Sequence, residues 1–417
     1  MVMRTSARIG MSVVVLVLLG ALGVLGWWYQ SRQAAPGQTA GTVTVNVTSP
    51  ADHGPGTLRE ALFIVAAATG RADLLIKVPA IALESLLPPL VNPHGVRVVG
   101  APGGTEIDAN AIKGGPVFDV AGPNTSLEGL KASNCSGAAI LVRAPGFRVR
   151  SSTIDGCDVG VDVAENASDI LIERNRFSHD RIGVRFAASS RNTVVVGNEF
   201  SNDRDAGLWA VRGEPDAHDG GVSVRENHFR ADGSGVVAAN IGMRVEHNDF
   251  ATPVEAAVHL LGAGAVVRGN HVNGGAAMGI IAENAREAVI EDNDLDHLTA
   301  YGIMVRGSAN TLLRANRLTL CGYGIAFVLG DPRGPSTAVD NTIIEPQFNG
   351  IDVIGDSPIL RHNQVLRPHA FALHASDFQQ PDGKRVAAHP FLDGNNFSRA
   401  DSPVIASGEE HGPARQP

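Results

Sequence analysis

Ile172-Glu173-Arg174-Asn175-Arg176-Phe177 and Val224-Arg225-Glu226-Asn227-His228-Phe229 share one pattern, apolar-x-x-Asn-x-apolar. It returns at Val195 to Phe200, Val245 to Phe250, Val267 to Val272, Ile290 to Leu295, Leu313 to Leu318 and Leu360 to Val365. The asparagines are Asn175, Asn198, Asn227, Asn248, Asn270, Asn293, Asn316 and Asn363. Their steps are 23, 29, 21, 22, 23, 23 and 47 residues, the last reading as two periods with one member lost. A second landmark keeps the same period: Gly160-Val161, Gly183-Val184, Gly207-Leu208, Gly235-Val236, Gly279-Ile280, Gly302-Ile303, Gly324-Ile325 and Gly350-Ile351, with Ala257-Val258 in the one gap. Two registers on one period mark an internal repeat.

Each unit holds short apolar alternations such as Val161-Asp162-Val163, the period of a strand with one face buried. Two such strands and their turns leave no room for an amphipathic helix. The repeat therefore predicts an all-β solenoid of about a dozen coils, with strands stacked in parallel at about 4.8 Å. An Asn at one place in every coil then forms a buried ladder, each amide donating to one neighbouring coil and accepting from the other. Outward residues support that register. Those just after each Asn run Arg176, Glu199, His228, Asp249, His271, Asp294 and Arg317, so that opposite charges fall side by side on stacked coils.

These repeats resemble those of right-handed parallel β-helix proteins of the pectate-lyase-like superfamily, over roughly residues 43–395. Gly56-Thr57-Leu58-Arg59-Glu60-Ala61-Leu62 resembles the segment that plugs the first coil in that superfamily. Thr57 and Glu60 form a capping box for a helix over 57–69, with Leu58, Ala61, Leu62, Val65 and Ala66 as its apolar face. The resemblance implies a polysaccharide lyase, a uronate epimerase, a glycoside hydrolase or a non-catalytic periplasmic protein. Arg143-Ala-Pro145-Gly-Phe-Arg148 matches a lyase pattern but lies too early in the chain and is read as coincidence. Glu214-Pro215-Asp216-Ala217-His218-Asp219 is similar to an epimerase motif but broken by the extra alanine and by Glu in place of Asp.

A formal net charge of −9 argues against a general nucleic-acid binder. Arg4 and Arg8 precede an uncharged apolar run from Ile9 to Tyr29. Such a run is long enough to span a bilayer, and the charge before it places the rest of the chain outside the cytoplasm. The expected organisation is a cytoplasmic tip and transmembrane signal anchor at 1–29, a linker at 30–42, the β-helix at 43–395 and a disordered tail at 396–417. The β-helix would then lie on the periplasmic or extracellular side of the cytoplasmic membrane. Cys135 and Cys157 are 22 residues apart, one coil, and are expected to bridge in an oxidising compartment, whereas Cys321 lies coils away.

The strands after the glycine landmark point Asp162, Arg185, Trp209, Val237, His259, Ile281, Met304, Ala326 and Asp352 outward, polar early and bland late. Trp209 would stack on a sugar ring, or be a rim residue under the 212–221 insert. Arg185 would clamp a uronate carboxylate, or pair with Asp162 one coil back. Arg181, Asp162 and His259 are further substrate-binding candidates. His179 is a candidate base, and Asp203 and Asp205 are candidate catalytic carboxylates. Asp180, Asp203 and Asp205 offer oxygen ligands that would suit Ca²⁺, the competing reading being turn carboxylates open to solvent. No cofactor is required. The expected ligand is an acidic polysaccharide, bound and, if the protein is an enzyme, modified by β-elimination or C5-epimerisation. The alternatives are a scaffold with a protein partner and a glycoside hydrolase.

Overall fold

The computed structural model describes residues 41–165, 167–187, 190–211, 221–239, 242–275, 278–398 and 405–407. The proposed anchor at 1–29, nearly all of the linker and the insert at 212–220 lie outside the described residues. No helix among the described residues is long and apolar enough to cross a membrane.

The chain winds as a solenoid with three long parallel sheets of 15, 14 and 13 strands, here called A, B and C. A typical coil contributes Ser168–Glu173 to A, Arg176–Ser178 to B and Ile182–Phe186 to C. Registers between coils are regular: Ile172 faces Val195, Phe177 faces Phe200 and Val184 faces Leu208. The period therefore arises because every strand pairs with the same strand of the next coil. Repeating the residue type at each position repeats the contact.

The turn from A to B carries the asparagine ladder. The residue before each Asn takes a left-handed conformation, as in Arg174 (φ 53°) and Glu226 (φ 57°). The buried amide that follows serves the neighbouring coils: Asn198 Nδ2 donates to Asn227 Oδ1 at 3.0 Å, and that same oxygen accepts the Asn198 backbone N–H at 2.9 Å. The ladder has no lost member. Asn341 accepts from Asn316 N–H at 3.0 Å and passes the chain of bonds to Asn363. Ala338, in place of a larger apolar residue, hid it in the sequence. Asn395 extends the ladder one coil further.

Inside, Phe177, Phe200, Phe229 and Phe250 stack with ring centroids 4.9, 4.7 and 4.8 Å apart. The glycine landmark makes room for them, since a Cβ on Gly207 would lie 2.7 Å from Phe229 Cδ1. Outside, Arg176 pairs with Glu199, and buried Glu291 receives both Arg268 and Arg314. Cys135 and Cys157 form a disulfide between adjacent coils with Cα atoms 4.3 Å apart, and Cys321 is a buried thiol that burial pushes up to about 12.

The first coil is covered by the helix Leu58–Ala67, which buries Leu58, Ala61, Leu62 and Val65. Thr57 Oγ1 accepts the Glu60 N–H and Glu60 reaches back to the Gly56 N–H at 2.6 Å. Arg59 is part of this cap, with its guanidinium on buried Asp52 at 2.7 and 2.9 Å. At the other end the coils run past residue 395, where the sequence reading placed a tail. Phe391–Asp393, Asn396–Ser398 and Ile405–Ser407 add strands to A, B and C. The cause is local: Leu392-x-x-Asn395-x-Phe397 is one more copy of the repeat.

Candidate functional site

Sheet C places one outward residue from each coil in a line. Asp162, Arg185, Trp209, Val237 and His259 are consecutive register partners across its face. The alternation that buries Val184 and Phe186 turns Arg185 outward. Arg185 makes two parallel bonds to Asp162, Nε to Oδ1 at 2.8 Å and Nη2 to Oδ2 at 2.5 Å. The Asp162 carboxylate holds the guanidinium pKa above its ordinary value. Trp209 is half-buried beside it, and Val237 is buried, leaving a shallow step before His259. His259 Nε2 lies 3.3 Å from Glu283.

The turn leading into sheet C adds a second charged line. Arg181 bridges two coils, with Asp158 at 2.7 and 3.2 Å and Asp205 at 3.0 Å. Its hydrogen bonds hold the Asp158 carboxyl below the usual range. Arg204 also approaches Asp205, at 3.3 Å. His179 opens this same turn, two residues before Arg181, with its Nδ1 on Asp155 at 2.9 Å and its side chain 66% exposed.

Asp180 and Asp203 are not the solvated turn carboxylates that the sequence offered as one reading, and Asp232 of the next coil joins them. All three are buried. They repeat the asparagine ladder's logic at another corner: Asp180 Oδ1 accepts Cys157 N–H at 2.7 Å, Asp203 Oδ1 accepts Asp180 N–H at 2.9 Å, and Asp232 Oδ1 accepts Asp203 N–H at 2.9 Å. The Oδ2 of each is buried with no hydrogen-bond partner. Burial pushes their pKa values up to about 8, 10 and 7 respectively. The structure thus brings Arg181, Arg185, Asp162, Asp205 and Trp209 to one side, and leaves Asp203 inside and His179 at the start of the Arg181 turn with its ring on Asp155. Among the described residues, the only carboxylate and histidine atoms gathered closely enough for a metal are those of Asp52, His53 and Glu84, and there both Asp52 oxygens already accept from Arg59.

The late half of sheet C is not bland. Tyr301, Tyr323 and Phe348 stack along the coils with centroids 4.8 and 4.9 Å apart, and Phe348 remains 48% exposed. Beside them Asp352 Oδ1 accepts from Asn349 Nδ2 at 2.8 Å and lies 3.0 Å from His374 Nδ1. A sequence signal existed: two of the three tyrosines stand immediately before the glycine landmark, one coil apart. From Trp209 to Tyr301 the face crosses four strand steps, about 19 Å at ordinary stacking. Of the two motif resemblances, Glu214 to Asp219 lies outside the described residues. Arg143 bonds Asp119 beside sheet C while Arg148 sits on sheet A, so that pair forms no common site.

The family model described as "Right handed beta helix region" matches residues 91–218 and 216–365. The chain belongs to that right-handed β-helix family. A search of curated protein sequences finds no match. Among solved structures, the catalytic unit of a thermostable GH87 alpha-1,3-glucanase from Streptomyces thermodiastaticus is 16% identical, with TM-score 0.55 over 89% of this chain and 71% of that one. The tailspike protein of E. coli bacteriophage HK620, in complex with a pentasaccharide, is 13% identical, with TM-score 0.57 over 84% of this chain and 76% of its own. DFA-IIIase from Arthrobacter chlorophenolicus, in complex with GF2, is 12% identical, with TM-score 0.53 over 73% and 94%. These likenesses establish the fold.

Proposed function

We propose that this right-handed β-helix protein binds an acidic, uronate-bearing polysaccharide along the outer face of sheet C. The observation that carries the reading is the adjacency of half-buried Trp209 and half-exposed Arg185 on neighbouring strands of a flat parallel sheet. An aromatic face stacks on a sugar ring, and the guanidinium beside it has Nη1 outside its two bonds to Asp162 to donate to a carboxylate. Asp162 preorganises that guanidinium. The Tyr301, Tyr323 and Phe348 stack supplies a second contact point several sugar units away. The fold is shared with the pentasaccharide-bound tailspike and the glucanase, which is the support the comparisons lend.

The reading is one of binding. Proton abstraction beside a carboxylate needs a base aimed at the ligand, whereas the His179 ring is engaged with Asp155 and Asp203 is buried. We further place the β-helix outside the cytoplasm, held by an anchor at 1–29. The Arg4 and Arg8 pattern supports this, as does the Cys135–Cys157 disulfide, a bond of oxidising compartments.

The test is calorimetric titration of the full chain with polymannuronate, polygalacturonate and a neutral glucan, with and without Ca²⁺, followed by product analysis. Saturable binding to the acidic polymers without cleavage or epimerisation is expected. Equal affinity for the neutral glucan would remove the acidic ligand, and unsaturated uronate ends would replace the binding role with a lyase.

A further inference from the structure

Sheet A carries a separate concave site at the early coils. A cavity of about 650 Å³ is lined by Arg71, Arg97, Arg148 and Arg150 around Ser126, with Asp169 and Glu173 also in its wall. The register explains the concentration. Arg97, Ser126 and Arg148 are direct partners on three consecutive strands, so two guanidinium stems flank one small side chain. Gly146 keeps the neighbouring turn low, since a Cβ there would come 2.5 Å from Asn124 Oδ1.

The charges are not mutually satisfied. Glu128, two residues along the Ser126 strand, accepts from Arg150 at 2.9 Å and from Arg97 at 3.2 Å, which holds its carboxyl below the usual range. Asp169 is taken up by Asn192 and Ser168. Arg71 and Arg148 have no carboxylate partner among the described residues. Many arginines elsewhere close on a carboxylate, as Arg143 does on Asp119, and those that do not, such as Arg174 and Arg230, do not line this cavity. In a chain of net charge −9, a pocket that keeps two guanidiniums open selects for negative ligands.

We propose that this pocket is an oxyanion-binding site that takes a carboxylate or sulfate group of an anionic glycan, on a different sheet from the Arg185–Trp209 face. Arg71 and Arg148 bind the anion directly, and Glu128 fixes Arg97 and Arg150 around it. The glycan half of this assignment rests on the function proposed above, while the oxyanion half stands on the pocket alone.

Affinity electrophoresis of the full chain in gels containing polygalacturonate, dextran sulfate or neutral dextran separates the two. The expected result is retardation by polygalacturonate that falls about tenfold in affinity for an Arg71→Ala/Arg148→Ala double variant. An Arg185→Ala variant should retain the part that this double variant loses. Both arginines are exposed, and an unchanged unfolding midpoint checks that the variant is folded. Full affinity in the double variant would overturn the pocket while leaving acidic-polymer binding intact. Retardation by dextran sulfate alone, abolished in the double variant, would uphold the oxyanion site and overturn the uronate ligand. Retardation by neither acidic polymer would overturn the pocket.

Discussion

Asp203 accepts the backbone N–H of Asp180 through Oδ1 at 2.9 Å, and its other oxygen is sealed in the coil without a partner. Burial raises its pKa from 3.8 to about 10, with the neighbouring Asp232 and Asp180 adding to the rise. A raised acid favours the protonated form in the folded state, so its stability contribution is complete below the unfolded value and is lost as pH climbs through the folded one. The protein should therefore be most stable in mild acid and weaken steadily as pH rises from about 4 towards about 10. Asp180 and Asp232 act in the same direction at about 8 and 7. Urea midpoints across that range should fall for the wild type and fall less steeply for Asp203→Asn. A wild-type midpoint that rises with pH would show that these carboxyls are ionised in the folded chain.

The asparagine ladder makes a stronger demand on stability. Asn270 Oδ1 accepts from both the backbone and the side chain of Asn248, while its Nδ2 donates to Val245 O and Asn293 Oδ1. Asn270→Ala leaves several buried groups unpaired and should cost roughly 3 kcal/mol or more in chemical denaturation. Asn341→Ala should cost a similar amount, since Asn341 holds the same bonds. A loss below about 1 kcal/mol at Asn341 would exclude it from the ladder.

On sheet C, function and stability should separate. The Arg185–Asp162 pair is partly exposed, so Arg185→Ala should change stability by no more than about 1 kcal/mol. The same change should weaken acidic-glycan affinity by about tenfold. Trp209→Phe should keep most of the affinity and Trp209→Ala should lose it roughly fivefold. Calorimetry against unfolding midpoints distinguishes these outcomes from a general loss of structure.

The cysteines give an inexpensive check. Replacing both Cys135 and Cys157 by Ser should cost about 3 kcal/mol, the chain-entropy value for a loop of this length. Cys321 should resist a thiol reagent in the native state and react once when the oxidised chain is unfolded, because burial pushes its thiol up to about 12.

The coil was legible in the sequence because each ladder position needs one residue type, so packing writes itself as a period. Asn341 escaped because Ala338 weakened the apolar half of its motif, although the amide alone serves the neighbouring coils. The buried Asp180, Asp203 and Asp232 were misleading for a physical reason. Asp203 and Asp205 stand only two residues apart on one turn, yet Asp203 faces inward and Asp205 outward, and only register decides which. The Tyr301–Tyr323 stack was readable from its spacing. The arginine pocket on sheet A was not, because it depends on three strands aligning around Ser126 and on a turn kept low by Gly146.

The most direct measurement uses the tryptophans. Trp27, Trp28 and Trp209 are the only three, so Trp27→Phe/Trp28→Phe leaves Trp209 as a single reporter on the proposed binding face. Its fluorescence should shift saturably as polygalacturonate or polymannuronate oligomers are added to the full chain, weaken when Arg185 is replaced by Ala, and stay unchanged with neutral glucan. An unchanged spectrum at saturating acidic oligomer, or an equal shift with neutral glucan, would contradict acidic-polysaccharide binding on sheet C.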